Sequence, residues 1–223
     1  MRVLITGANR GLGLELSRQL LARGEDVVAT CRRPEGATEL QALMAQHAGR
    51  GEVLPLDVRD DASVAAAAQR VDRLDWLINN AGVNPRQGFD AITAATMLEA
   101  FDTNAVGALR LILALRDRLS DGGRIVNVSS QLGSLTRQSP GFGTLGYNAS
   151  KAAMNMLTRQ ASFALPKQIV LAIHPGWVQT DMGGPHAAVD VVTAARGVIT
   201  VTEQARTDDS GGFFTYVGEP HPW

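Results

Sequence analysis

The sequence predicts an α/β fold: a doubly wound parallel sheet of seven strands with helices on both faces, in a single domain over residues 1–223. Three observations carry this expectation. Short aliphatic and β-branched runs alternate with amphipathic helical segments along the whole chain, the order that a parallel sheet with crossover helices requires. The first run, Arg2–Thr6, passes through a glycine-rich turn directly into helical spacing. No repeat, linker or low-complexity segment divides the 223 residues, a length that fits one domain with a large buried core.

Composition narrows the function classes. Apolar residues make up 45% and the net charge is −1, so nothing points to nucleic acid or an anionic membrane as a partner. The single Cys31 excludes an intrachain disulfide and a cysteine-based metal cage, and no Cys/His/carboxylate cluster suggests a metal. No apolar run approaches the roughly 20 residues of a membrane span, and a structural motif that begins by Thr6 leaves no room for a signal peptide. A cytoplasmic location is expected.

In chain order, Arg2–Thr6 reads as a buried strand that ends at Gly7. Gly7-Ala8-Asn9-Arg10-Gly11-Leu12-Gly13 follows, then Leu14, Leu16, Leu20 and Leu21 at helical spacing. Strand, glycine turn and helix together let backbone approach a pyrophosphate, with the helix N-terminus offering free N–H groups, as in a Rossmann-type dinucleotide site. A plain tight turn is the alternative. Asp26–Cys31 is a second strand, followed by Arg32-Arg33-Pro34. An acidic residue at this strand end would hold the ribose hydroxyls of NAD(H). Cys31 stands there instead, and Arg32 with Arg10 would converge on a 2′-phosphate, so NADP(H) is expected over NAD(H). The bland alternative is a solvated Arg32–Arg33 pair.

Residues 35–48 read as an amphipathic helix and Glu52–Asp57 as a third strand. Asp57 either hydrogen-bonds an adenine amino group or caps a helix that starts near Asp60 or Asp61. A fourth strand, Asp75–Ile78, ends in Asn79-Asn80-Ala81-Gly82, small and amide residues that let backbone run close to a cofactor. Met97, Phe101, Ala105, Leu109, Ile112 and Leu113 predict one long helix from Ala94 to Leu119, broken by Asp121-Gly122-Gly123. Asn104 lies inside it, poor on helix propensity and so there for another reason. Arg124–Ser130 is a central strand with two serines at its end. The loop Gln131–Gly146 is long enough to be functional and carries Leu135, Phe142 and Leu145. A helix from Tyr147 to Leu165, a strand Gln168–His174, the segment Pro175–Met182, a helix from Ala187 to Ala205, a strand Gly212–Val217 and a tail complete the chain. Trp223 packs either on the body or on a second subunit. His174 reads as a packing residue.

The chemistry concentrates at Tyr147-Asn148-Ala149-Ser150-Lys151. On a helix this spacing puts phenol and ammonium on one face, one turn apart. A phenol titrates near pH ~10, and a neighbouring cation lowers that value toward a usable range. The sequence has only two tyrosines, and Lys151 and Lys167 are its only lysines, so a protein that writes Arg almost everywhere has placed its tunable amine here. A core tyrosine beside a solvated lysine is the alternative.

Together these motifs resemble the short-chain dehydrogenase/reductase family: Thr6-Gly7-x-x-x-Gly11-x-Gly13, Asp57, Asn79-Asn80-Ala81-Gly82, Asn104, Ser130, Tyr147-x-x-x-Lys151 and Pro175-Gly176 with Thr180 stand in that family's order over nearly the whole chain. The Thr30-Cys31-Arg32 turn and the Gly-Gly-Phe-Phe ending look most like the C-factor and sniffer-type carbonyl reductase branch. The resemblance implies a catalytic tetrad of Asn104, Ser130, Tyr147 and Lys151. Tyr147 would exchange a proton with the substrate oxygen, Lys151 would lower its pKa and hold the nicotinamide ribose, Ser130 would bind the oxygen, and Asn104 would anchor a water leading from Lys151 to solvent. Ser130 is chosen over Ser129 because the two alternate across the strand and the family places the catalytic serine second. Cofactor contacts are expected from Gly7, Asn9, Arg10, Gly11, Leu12, Gly13, Arg32, Asp57, Val58, Asn80, Ala81, Gly82, Pro175, Gly176, Val178 and Thr180, with Tyr147 and Lys151. Gln131, Phe142, Trp177 and Met182 are candidates to face substrate, with ordinary packing as the alternative for each. The loop after Ser130 is longer than usual in the family, so the substrate pocket does not carry over. The implied activity is NADPH-dependent reduction of an aldehyde or ketone, reversible with NADP and alcohol. A cofactor-binding signalling protein of C-factor type is the alternative, and subunits pair as homodimers in much of the family, though monomers exist.

Overall fold

The computed structural model describes residues 1–138 and 143–223. Its sheet has the order β3-β2-β1-β4-β5-β6-β7 with every pairing parallel. The strands are β1 (Arg2–Ile5), β2 (Asp26–Cys31), β3 (Gly51–Pro55), β4 (Leu74–Asn79), β5 (Leu119–Val128), β6 (Ile169–His174) and β7 (Phe213–Thr215). Most of them are near-continuous apolar runs because helices cover both of their faces. On one face α1 (Gly11–Ala22), α2 (Thr38–Gln46) and α7 (Val191–Gln204) bury Leu16, Leu20, Leu40, Val198 and Ile199 against Val3, Ile5, Leu171 and Ile173. On the other, α3 (Asp61–Gln69), α5 (Gly107–Leu115) and α6 (Leu145–Ala164) pack Val64, Leu111 and Ala161 on Leu4, Leu77 and Val170. The chain winds outward from β1 in one direction and from β4 in the other. That reversal opens a crevice at the carboxyl ends of these two neighbours, where ligands bind in such sheets.

The single helix expected over residues 94–119 is instead three pieces. Helix α4 (Ala94–Phe101) gives way to a π-helical turn, Asp102–Val106, before α5 begins at Gly107 and stops at Leu115. The Asp121-Gly122-Gly123 step does not end a helix. It lies within β5, where Leu119 already pairs with Leu74 and the register shifts before Trp76 meets Arg124. The turn is kept as an unpaired irregularity, with Gly122 at φ +75°, between the paired Leu119 and Arg124. Other boundaries move by a few residues. Helix α7 starts at Val191 because the Asp190 carboxylate caps it, accepting from Thr193 N at 2.8 Å. The tail turns back antiparallel to β7, and Trp223 stacks on Phe213 of the same chain. Among the described residues no helix is long and apolar enough to cross a membrane.

Candidate active site

The crevice is a cleft of about 860 Å³ across the carboxyl ends of the central strands. The glycine turn forms its floor at one side. Gly7 and Gly11 take left-handed backbone angles, φ +64° and +55°, that side-chain-bearing residues rarely adopt. Gly13 lies below the lining rather than in it. A Cβ there would sit 2.5 Å from both Asn80 Nδ2 and Gly7 O, so only glycine lets α1 pack this close to the strand ends. Arg10, the residue preceding α1, makes no side-chain cap bond, and the first turn has no acidic residue. The positive end of the helix is therefore open to an anion. Asn9, Arg10 and Leu12 line the cleft beside it. Thr6 ties this turn to β4: its hydroxyl accepts from Asn80 N (3.0 Å) and Ala81 N (2.9 Å), while Asn80 Nδ2 donates to Thr6 O (2.9 Å) and Gly7 O (3.1 Å). Asn80, Ala81 and Gly82 form the adjoining wall.

Arg32, Asp57, Val58 and Arg59 line one corner of the cleft. Asp57 does not cap α3. Asp60 does, accepting from Ala62 N at 2.9 Å. The Asp57 carboxylate instead accepts from Arg59 N (3.0 Å), Nε (3.2 Å) and Nη2 (3.0 Å). Arg59 holds that carboxyl below its usual range, and the charge of Arg32 acts in the same direction. The expected convergence of Arg10 with Arg32 does not occur. Arg10 reaches across the mouth of the cleft to Asp181 at 2.7 Å, a carboxylate 171 positions away in sequence. Arg59 is the second guanidinium at the Arg32 corner. Thr103, in the π turn, adds a buried hydroxyl that faces the cleft and has no hydrogen-bond partner. An open helix N-terminus, two arginines beside a carboxylate and an unsatisfied buried hydroxyl form a donor set that fits a phosphorylated dinucleotide.

At the other end, α6 presents Tyr147 and Lys151 one turn apart, with the Lys151 Nζ 5.6 Å from the Tyr147 ring centroid. Lys151 is buried and donates to Val128 O at 2.7 Å. Burial lowers its pKa from 10.5 to about 7. Burial also raises the Tyr147 phenol above its ordinary value, opposed by a hydrogen bond with Ser130. The phenol therefore lies above its ordinary value, opposite to the direction expected from a neighbouring cation. Ser130 Oγ also accepts from Leu132 N at 3.1 Å. Ser129 is committed elsewhere, donating its hydroxyl to Asn155 Oδ1 at 2.6 Å. The Asn104 side chain clamps the chain after β4. Its Oδ1 accepts from Val83 N (2.8 Å), and its Nδ2 donates to Val83 O (2.9 Å) and to Ser150 Oγ (2.8 Å).

Pro175, Gly176, Val178 and Thr180 line the cleft beyond β6, with Gln131, Trp177 and Met182. Trp177 Nε1 donates to Gly183 O (2.9 Å), and Thr180 Oγ1 accepts from Gly183 N (3.2 Å). Phe142 lies outside the described residues. Sequence reasoning missed Arg59, Thr103 and Arg86, whose Nη2 donates to Met182 O at 2.5 Å. It also gave no cleft role to His174, which is buried and lines the site. Arg59 lies two residues after Asp57 and Thr103 directly precedes Asn104, which is the one local hint they offered.

Comparison with known proteins agrees with this geometry. A family model described as short chain dehydrogenase matches residues 1–189. The C-signal protein of Myxococcus xanthus is 39% identical over 155 residues, 67% of this chain and 93% of that protein. An NADPH-bound carbonyl reductase from chicken fatty liver superposes with a TM-score of 0.95 at 38% identity, covering 100% of this chain and 98% of that one. The carbonyl reductase Sniffer of D. melanogaster gives 0.94 at 31% identity, covering 100% and 99%. A match running from the glycine turn to the segment beyond β6, with whole-length superposition on solved relatives, leaves one assignment: the chain belongs to the short-chain dehydrogenase family.

Proposed function

We propose that this chain is an NADPH-dependent carbonyl reductase acting on an aldehyde or ketone, and in reverse on the alcohol with NADP. The half-buried Tyr147 and buried Lys151 beside Ser130, at one end of a cleft whose other end suits a phosphorylated dinucleotide, carry the reading. When bound, the dinucleotide supplies the hydride. Gly7, Gly11 and the α1 N-terminus would hold its pyrophosphate, Arg32 and Arg59 its 2′-phosphate, Asp57, Val58 and Ala81 its adenine side, and Pro175 to Thr180 its nicotinamide end.

The protein's own chemistry is proton delivery. The Tyr147 phenol, raised above its ordinary value, holds its proton at neutral pH, the form that can donate to a substrate oxygen. The Ser130 hydroxyl stands where it can stabilise charge building on that oxygen. Lys151, with a pKa of about 7, exchanges a proton readily near neutrality and serves to resupply the phenol. The Asn104 amide spends both Nδ2 protons and one Oδ1 lone pair on Val83 and Ser150, which supports a role in holding this end of the site together and leaves one acceptor site for a water. Gln131, Trp177 and Met182 are the substrate-facing candidates.

Similarity to the C-signal protein favours a second reading, a regulatory protein that binds the cofactor with little turnover. A homodimer, supported by exposed Leu109, Leu113 and Met156 on α5 and α6, and a cytoplasmic location belong to the leading reading. The test is consumption of NADPH against a panel of aldehydes and ketones. Turnover of any of them supports the reductase. NADPH binding with no turnover across the panel favours the regulatory reading.

A further inference from the structure

The segment after Ser130 forms one wall of the reacting end, with Gln131 and Leu132 in the lining. Its inner part is held by the body of the protein. Gly133 N donates to Ser130 O (2.8 Å), and Gly133 O accepts from Asn155 Nδ2 on α6 (3.2 Å). Its outer part is held by a distant stretch of chain. Thr136 donates both its backbone N–H (3.0 Å) and its hydroxyl (2.7 Å) to the main-chain oxygen of Trp223. One carbonyl-type oxygen has two lone pairs, and Thr136 takes both.

Trp223 is itself fixed. Its ring stacks on Phe213 with centroids 5.5 Å apart and planes at 25°. Two residues earlier, His221 N donates to Phe213 O (2.7 Å), and its ring lies 4.5 Å from Phe213 and 5.9 Å from the cleft-lining His174. Phe214 and Pro220 form an antiparallel bridge, so residues 219–223 run back along the edge of the sheet and end on the wall. Gln138 passes the constraint inward: its Nε2 donates to Leu132 O and Ser134 O, each at 2.7 Å.

We infer that Trp223 and Thr136 are positioning residues for the substrate pocket: their contact straps down the wall formed by Gln131 and Leu132 and so sets how bulky a carbonyl compound the cleft admits. This rests on the reductase reading above. Tyr147 is carried by α6, and Ser130, although bonded to Leu132 N and Gly133 N, belongs to the inner part that Asn155 anchors to α6, so the strap governs substrate fit and leaves proton transfer alone.

The test compares Thr136→Val, Trp223→Ala and the double variant, all loaded with NADPH, with Thr136→Ser and Trp223→Phe as conservative partners. Two readouts are taken: amide hydrogen exchange over residues 131–138, and kcat and KM for a small aliphatic aldehyde and a bulky aromatic ketone. The expected result is faster exchange at 131–138 with α6 unchanged. KM for the ketone changes about tenfold, with kcat and the aldehyde KM within about twofold. Thr136→Val keeps the backbone N–H bond and loosens the wall less than Trp223→Ala, which frees the tail that carries the acceptor oxygen; the double variant adds little to Trp223→Ala, and the conservative variants restore wild-type values. Unchanged exchange, additive effects, or parallel losses in kcat and KM for both compounds would overturn the inference. A wild-type protein that turns over neither compound counts against the reductase reading, while the exchange result still decides whether the strap exists.

Discussion

A phenol donates a proton at neutral pH only if it still holds one; at its ordinary value of ~10 it already does, and burial raises Tyr147 further. The same burial brings Lys151 to about 7, where it can gain and lose a proton. Tyr147, Lys151 and Ser130 were legible in the sequence because their spacing and neighbours are local. Which charge pairs with which was not. Arg10 finds Asp181 and Arg59 finds Asp57, one partner 171 positions away and the other two. Residue types allowed any of the arginines at the Arg32 corner, and only the folded turns select among them. The 2′-phosphate argument now rests on Arg32 with Arg59. Replacing Arg32 with Ala is expected to weaken NADPH binding by about tenfold or more, the worth of one charge-assisted hydrogen bond, with NADH binding changed by less than about twofold. Titration with both cofactors checks this, and equal weakening of the two contradicts it.

At the scale of elements, the strands were readable from apolar runs and glycine turns, their order in the sheet was not, and the errors cluster where tertiary contacts override local preference. The π turn Asp102–Val106 is one such place. Periodicity alone reads straight through it, yet it carries Asn104 and the buried Thr103. The mid-helix Asn that propensity could not explain is a clamp: three hydrogen bonds join it to Val83 and Ser150, linking the end of β4 to α6. Asn104→Leu keeps the approximate volume and leaves the Val83 N–H and C=O without these partners. A loss of about 2 kcal/mol in stability is expected, read as a lower urea midpoint at unchanged slope. An unchanged midpoint would show that the clamp contributes nothing to holding β4 against α6. The Asp-Gly-Gly step is the converse case, a strong turn signal that does form a turn but inside β5, with strand pairing on both sides of it.

For the whole molecule, a reversal of strand order between β1 and β4 brings a glycine turn, an arginine corner and a tyrosine helix to one crevice, although they are far apart in the chain. The sheet also buries His174 between β5 and β7, which lowers its pKa from 6.5 to about 4. Between those values the unfolded chain binds the proton and the folded chain does not. Stability contributed by the neutral, buried ring is therefore fully present above pH 6.5 and is lost as pH falls toward 4, amounting to about 3 kcal/mol. Urea midpoints from pH 7 to 4 should fall less steeply in His174→Leu than in the wild-type protein. Parallel curves would place the acid sensitivity elsewhere.

The proton-donor role of Tyr147 is tested most directly by NADPH consumption with a responsive carbonyl compound, compared between the wild-type protein and Tyr147→Phe, with NADPH affinity measured alongside. The expected result is a fall in kcat of about 10²–10⁴-fold at an NADPH affinity within about twofold of wild type. A Tyr147→Phe protein that consumes NADPH as fast as the wild type would contradict it.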